Sequence, residues 1–304
     1  MSEPAQSISL RPAGRSRRRV IVNRIAESGA TIAALLAVAV LAVLVGSVLL
    51  RGVHALDWNF FTKGEAVFGE TGGGIAPALV GTLMLVLIAT AIALPIGTLI
   101  AIYVSEFASA RLGSQVKLWL DVLNGFPSIV IGIFVFALVV KAKLPVIGIG
   151  HRQSAWAGGF ALSIIMLPLV ARTTMEVLAL VPNQLREASY ALGVSKWRTV
   201  LSVVLPTAIG GIVTGTTLAV ARAAGETAPL LFTSSIYGQL VSWDPSSSVA
   251  SVPLTIFKYS ESPDENLNEQ AWAAAFVLIA FVLVTSLVAR AMLDRSRRKL
   301  GRIG

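Results

Sequence analysis

Six runs of mostly apolar residues, at about 29–50, 77–103, 117–140, 155–175, 200–224 and 271–292, limit what this chain can fold into. A bilayer core takes about 20 such residues per helix. Lipid offers the backbone no hydrogen-bond partner, so each helix must satisfy its own. The chain reads as all-α, a polytopic membrane protein with six transmembrane helices. Its composition agrees: the 304 residues are 55% hydrophobic and 13% charged, where a soluble domain carries about 25% charged residues. The first run follows an Arg-rich stretch, but it exceeds the 7 to 15 apolar residues of a signal peptide, so it is read as a retained anchor.

The formal net charge is +9, and its location argues against nucleic acid. Arg11, Arg15, Arg17, Arg18, Arg19 and Arg24 crowd the first 26 residues, and Arg295, Arg297, Arg298, Lys299 and Arg302 the last eleven, 294–304. Both read as basic cytoplasmic tails flanking a membrane domain, 27–293. Lys and Arg mark cytoplasmic loops, here Arg111 and Lys117, then Arg186, Lys196 and Arg198. The loop 225–270 has six acids (Glu226, Asp244, Glu261, Asp264, Glu265, Glu269) against Lys258 and reads as external. An even span count puts both termini in the cytoplasm of a plasma (inner) membrane protein. Lys141, Lys143 and Arg152 dissent from the rule; external basic charge there would suit an anionic substrate.

There is no cysteine, and the histidines are His54 and His151, so thiolate metal sites, disulfides and a His-rich metal centre are excluded. No G-x-x-x-x-G-K-[ST] loop is present, so the chain should not hydrolyse nucleotide. No nucleophile and base can be paired, and the chain is not read as an enzyme. Gly211 and Gly215 in the fifth run, and Gly158 with Gly159 in the fourth, allow close helix approach. Pro95, Pro127, Pro168 and Pro206 interrupt apolar runs and should kink them.

The loop 181–198 carries a more specific pattern. Pro182 and Asn183 can open a short helix, Gly193 suits the left-handed position that ends it, and Ser195 can cap the next. Leu185, Ala188 and Leu192 then share one face beside Arg186 and Glu187. Such a helix could lie on the lipid headgroups. The run Glu187-Ala188-Ser189, with Gly193 and Val203-Val204-Leu205-Pro206, resembles the E-A-A-x3-G loop of ABC importer permeases. There that loop forms the coupling helix, docking in a groove of the ATP-binding subunit. Ser189 and Val203 depart conservatively from that pattern. The resemblance implies a type I ABC importer permease fold and makes Leu185, Glu187, Ala188, Ser189, Leu192 and Gly193 the coupling residues.

A second resemblance narrows the substrate. Arg222-Ala-Ala-Gly225-Glu226-Thr-Ala-Pro229, Asn124-Gly-Phe-Pro127-Ser-Ile-Val and Ala171-Arg172-Thr-Thr are similar to stretches of PstA-type permease subunits of phosphate-specific importers. That implies a sister permease of the PstC type, two ATP-binding subunits of the PstB type carrying ATP and magnesium, and an external phosphate-binding protein of the PstS type meeting the 225–270 loop. It also implies no cofactor on this chain, and no partner of nucleic acid; the bilayer is its solvent. Another oxyanion, molybdate or sulfate, or a signalling scaffold without transport, is the alternative. A guanidinium fork suits phosphate, and an intramembrane Arg must face a partner or a water path. Arg222 and Glu226, facing each other at i, i+4, and Arg172, which has Glu176 one turn on, make Arg222, Glu226 and Arg172 the candidate substrate pathway; the alternative is a snorkelling interfacial ion pair, the more so for Arg172 near the cytoplasmic end of its span. The two arginines lie at different depths, joined only if a partner subunit or a bent helix brings them together.

Overall fold

A computed structural model describes residues 15–65, 72–141, 152–237 and 240–300. The chain divides into two units, residues 1–50 and 51–304. The first is occupied by helix α1 (Arg15–Gly52), whose apolar side chains, such as Ile32, Leu36 and Val43, are exposed, as a lipid-facing anchor requires.

The second unit begins with the short α2 (Trp58–Thr62), followed by α3 (Ala76–Ile102), which continues into a π-helical turn, Tyr103–Phe107. Then come α4 (Ala110–Gly125), α5 (Ser128–Val135) with a π-helical extension to Lys141, α6 (Ala155–Ala179), α7 (Asn183–Ala191) and α8 (Lys196–Thr199). A π turn, Val200–Val204, joins α8 to α9 (Leu205–Ala224); α10 (Leu230–Thr233), α11 (Val252–Ser260) and α12 (Glu265–Leu300) follow. The described residues contain no strand.

Among the described residues, five helices are long and apolar enough to cross a membrane. The third expected span, 117–140, is not one straight helix: α4 and α5 meet at a 93° bend, and they complete a sixth span only if the pair crosses as one. Pro127 is the cause. It lacks an N–H, and its ring drives the preceding residue out of the helical region; Phe126 sits at φ −68°, ψ 136°. Pro206 is accommodated differently. The helix widens into the π turn Val200–Val204 just before it, a known way to absorb a missing donor.

Helix α6 is the centre of the second unit. Its Leu162, Met166 and Val170 pack with Leu85, Ala89 and Ala93 of α3 and with Ala219 and Ala223 of α9. Its Ala171, Met175 and Leu178 meet Ala101, Leu120, Val204 and Ala208, and Ala157 and Ala161 meet Ile131 and Val135 of α5. The small residues let these helices touch. A Cβ on Gly211 would come within 2.5 Å of Val177, and one on Gly215 within 2.6 Å of Thr173, so the G-x-x-x-G stripe is the α9 face packed on α6. A separate cluster of Phe60, Ile75, Tyr259, Leu267 and Ala274 joins α2, α3, α11 and α12 at the opposite end from α7.

Candidate functional site

Two regions carry the charged and exposed groups that the sequence singled out. The first surrounds Arg172 and Arg222. Helix α9 stops at Gly225, and Glu226 donates its backbone N–H to the Ala223 carbonyl, so Arg222 and Glu226 stay within one turn. Arg222 Nε lies 4.0 Å from Glu226 Oε1, with the arginine side chain 52% exposed and the glutamate 18%. That is an ion pair at the limit of contact, leaving most of the guanidinium donors uncommitted among the described residues.

Arg222 lies in the last turn of α9, and the chain after it turns into the helix packing. The chain after it runs inward of α5 and α6: a Cβ on Gly132 would lie 2.5 Å from Pro229, and Leu230 joins the core around Leu85 and Leu162. Only at Thr233, whose carbonyl accepts from the Ser154 N–H, does it reach the start of α6. Arg222 and Glu226 instead line a cavity of about 100 Å³ with Leu123, Asn124, Phe126, Ser128, Ile131 and Ile165. Ile165 is ten residues into α6, about 15 Å from its start.

Arg172 is paired with Asp121 of α4, while Glu176 is exposed; the expected one-turn partner is replaced by one across the helix interface. The side chains of Arg172 and Asp121 are 39% and 52% exposed. They line a second cavity, of about 290 Å³, with Asn124, Pro168 and Leu169. Asn124 therefore borders both cavities, and Ile165, Leu169 and Arg172 lie along one side of α6 within two turns, about 10 Å. The bend after α4 places Asn124 between the cavity lined by Arg172 and the cavity lined by Arg222. Asp121 was missed because its partner, Arg172, is distant in sequence; Asn124 belongs to the Asn124–Val130 stretch quoted from the sequence, but there it was not placed in the pathway.

The second region is the corner formed by α7 and α8. The C-terminus of α7 has Schellman geometry: Gly193 has φ +75°, its N–H donates to Tyr190 O, and the Val194 N–H donates to Ser189 O. Ser195 occupies the N-cap position of α8, but its hydroxyl makes no capping bond. Leu185, Glu187, Ala188 and Leu192 are exposed, as is Gly193. Ser189 is not part of that surface; it is buried, and its hydroxyl is 2.8 Å from that of Thr199. Arg186, counted among the basic residues of a cytoplasmic loop, is also turned inward, against Glu106. Lys141 and Arg152 are exposed, while Lys143 falls outside the described residues, as do residues 1–14 and 301–304 of the tails.

A family model, described as binding-protein-dependent transport system inner membrane component, matches residues 93–302. The phosphate transport system permease protein PstA of Yersinia pestis is 39% identical over 252 residues, covering 83% of each chain. PstA 1 of Mycobacterium tuberculosis (strain ATCC 25618 / H37Rv) is 36% identical over 306 residues, covering 98% of this chain and 96% of that one. Among solved structures, a chain of a bacterial alginate ABC transporter superposes with a TM-score of 0.62 at 14% identity, over 90% of this chain and 96% of its own. A chain of the MetNI methionine ABC transporter, inward facing, superposes at 0.53 and 20% identity, over 72% and 94%. The fold is that of type I ABC importer permeases, a multi-pass membrane architecture. By sequence, the chain belongs to the binding-protein-dependent transport system inner membrane components, in their PstA group of permease proteins.

Proposed function

We propose that this chain is the permease subunit of an ATP-driven importer of inorganic phosphate. The observation that carries the reading is the pair of adjoining cavities, each with one arginine held by one carboxylate, on a chain related to phosphate permeases over most of its length. A guanidinium meets two oxyanion oxygens at once. Because Arg222 is only loosely tied to Glu226, an arriving anion can take its free donors, and the carboxylate competes to release it. Asn124 is the joint between the two stations, offering donors to the anion without adding charge.

The chain contributes no hydrolytic chemistry. ATP and magnesium belong to a separate pair of ATP-binding subunits that bear on the exposed ridge Leu185, Glu187, Ala188 and Leu192, with Gly193 ending the helix. A sister permease completes the path. An external phosphate-binding protein meets the 225–270 face, where Asp244, Glu261, Glu265 and Glu269 are exposed. Both termini face the cytoplasm, in keeping with the basic tails. Nucleotide supplies the energy difference between outward and inward states, since an anion bound equally by both shifts neither.

Uptake competition in cells tests the substrate: excess phosphate should suppress uptake of labelled phosphate, and a hundredfold excess of sulfate or molybdate should leave it unchanged. Equal suppression by molybdate or sulfate would transfer the chain to another oxyanion. Absence of uptake despite assembly with the ATP-binding subunits would favour a scaffold role.

A further inference from the structure

Arg186 makes five hydrogen bonds within the protein, and none of them is explained by binding an anion. Its Nη2 donates to Glu106 Oε1 at 2.8 Å and its Nε to the same oxygen at 3.3 Å. Nη2 also donates to Leu178 O at 3.0 Å, and Nη1 to Val181 O at 2.7 Å and to Asn183 Oδ1 at 3.3 Å. The two side chains are 15% and 5% exposed. Leu178 is in the last turn of α6 and Val181 follows it, where carbonyls lack intrahelical partners. Glu106 lies in the π turn that ends α3. One guanidinium thus ties together the ends of α3 and α6 and the start of α7.

We infer that the buried Arg186–Glu106 pair is the strut that makes α7 move as one body with α3 and α6, and that it carries force from the docking ridge to the helix bearing Arg172. This rests on the reading of α7 as the surface that meets the ATP-binding subunit. Without the strut, α7 is attached to α6 through the three residues 180–182, and a push on its outer face would tilt it. Ser189 against Thr199, and Phe107 against Trp197 at 6.1 Å between ring centroids, hold the other side of the same corner to α8 and to the π turn. The fork geometry matters because a planar guanidinium fixes orientation as well as distance. Arg186 and Glu106 are positioning residues; neither lines the cavities around Arg172 and Arg222.

The test is the number of phosphates moved per ATP hydrolysed by the complete importer in proteoliposomes. In Glu106→Gln, ATP hydrolysis should continue at the wild-type rate or faster while this ratio falls at least tenfold. A contact that merely stabilised the fold would lower the amount of complex and leave the ratio alone, so an unchanged ratio overturns the inference. If Glu106→Gln yields too little complex, Arg186→Lys, which keeps the charge and loses the fork, is read the same way, and a wild-type ratio there overturns it too. Leu192→Glu, on the exposed ridge, separates this inference from the reading beneath it. It should strip the ATP-binding subunits from the complex; if they remain bound, the docking role of α7 fails whatever Glu106→Gln does.

Discussion

The chain uses arginine–carboxylate pairs in two regions, and they are built in opposite ways. At the α7 corner, Arg186 and Glu106 are nearly buried, and the guanidinium is committed to two backbone carbonyls and an asparagine besides. Around the cavities, Arg172 and Arg222 are about half exposed, and each has a single carboxylate. A buried pair with its remaining donors satisfied resists rearrangement, because parting it strands a charge in a low-dielectric interior. An exposed pair is held by little and can exchange partners. The same two residue types therefore give a buried, fully committed pair in one place and half-exposed, loosely held pairs in the other, with burial and the number of additional hydrogen bonds deciding which.

The sharpest way to break this comparison is to remove one arginine from each region. Arg186→Ala should destabilise the solubilised complex by about 3–5 kcal/mol, the cost of leaving a buried partner unpaired, and thermal unfolding should show it as a large drop in midpoint. Arg172→Ala should cost no more than about 1 kcal/mol and leave that midpoint nearly unmoved while uptake falls. Similar shifts for both variants would erase the distinction. A smaller effect sharpens it. Glu226→Gln removes the carboxylate that competes for Arg222, so the anion is released more slowly. Since an exposed pair is worth at most about 1 kcal/mol, saturated uptake should fall by no more than about fivefold, with assembly unchanged. Faster uptake in Glu226→Gln would show that the glutamate obstructs the route rather than clears it.

The contrast also separates what could be read in the sequence from what could not. Signals acting within a turn were legible. Gly193 ends α7 in the left-handed region, Arg222 and Glu226 meet at i, i+4, and Gly211 and Gly215 face a neighbouring helix. Contacts between distant segments were not. Arg186 and Glu106 are 80 residues apart, and nothing local distinguishes a buried arginine in a polar loop from a solvated one. Arg172 was matched with Glu176 because that residue lies one turn on, while Asp121 reaches it only because α4 packs on α6. Pro127 was legible as an interruption, but neither the 93° angle of its bend nor the place of Asn124 beside both cavities has a local signal. Ser189, read as part of the docking surface, lies one turn after Leu185 at the edge of the ridge of Leu185, Ala188 and Leu192, and there it is buried against Thr199 of α8.

The central claim, that phosphate passes by Arg222, is tested most directly by measuring phosphate uptake in Arg222→Ala, together with recovery of the assembled complex and its ATP-binding subunits. The account predicts a complex assembled at wild-type levels with phosphate uptake abolished. Wild-type uptake through that complex would contradict it.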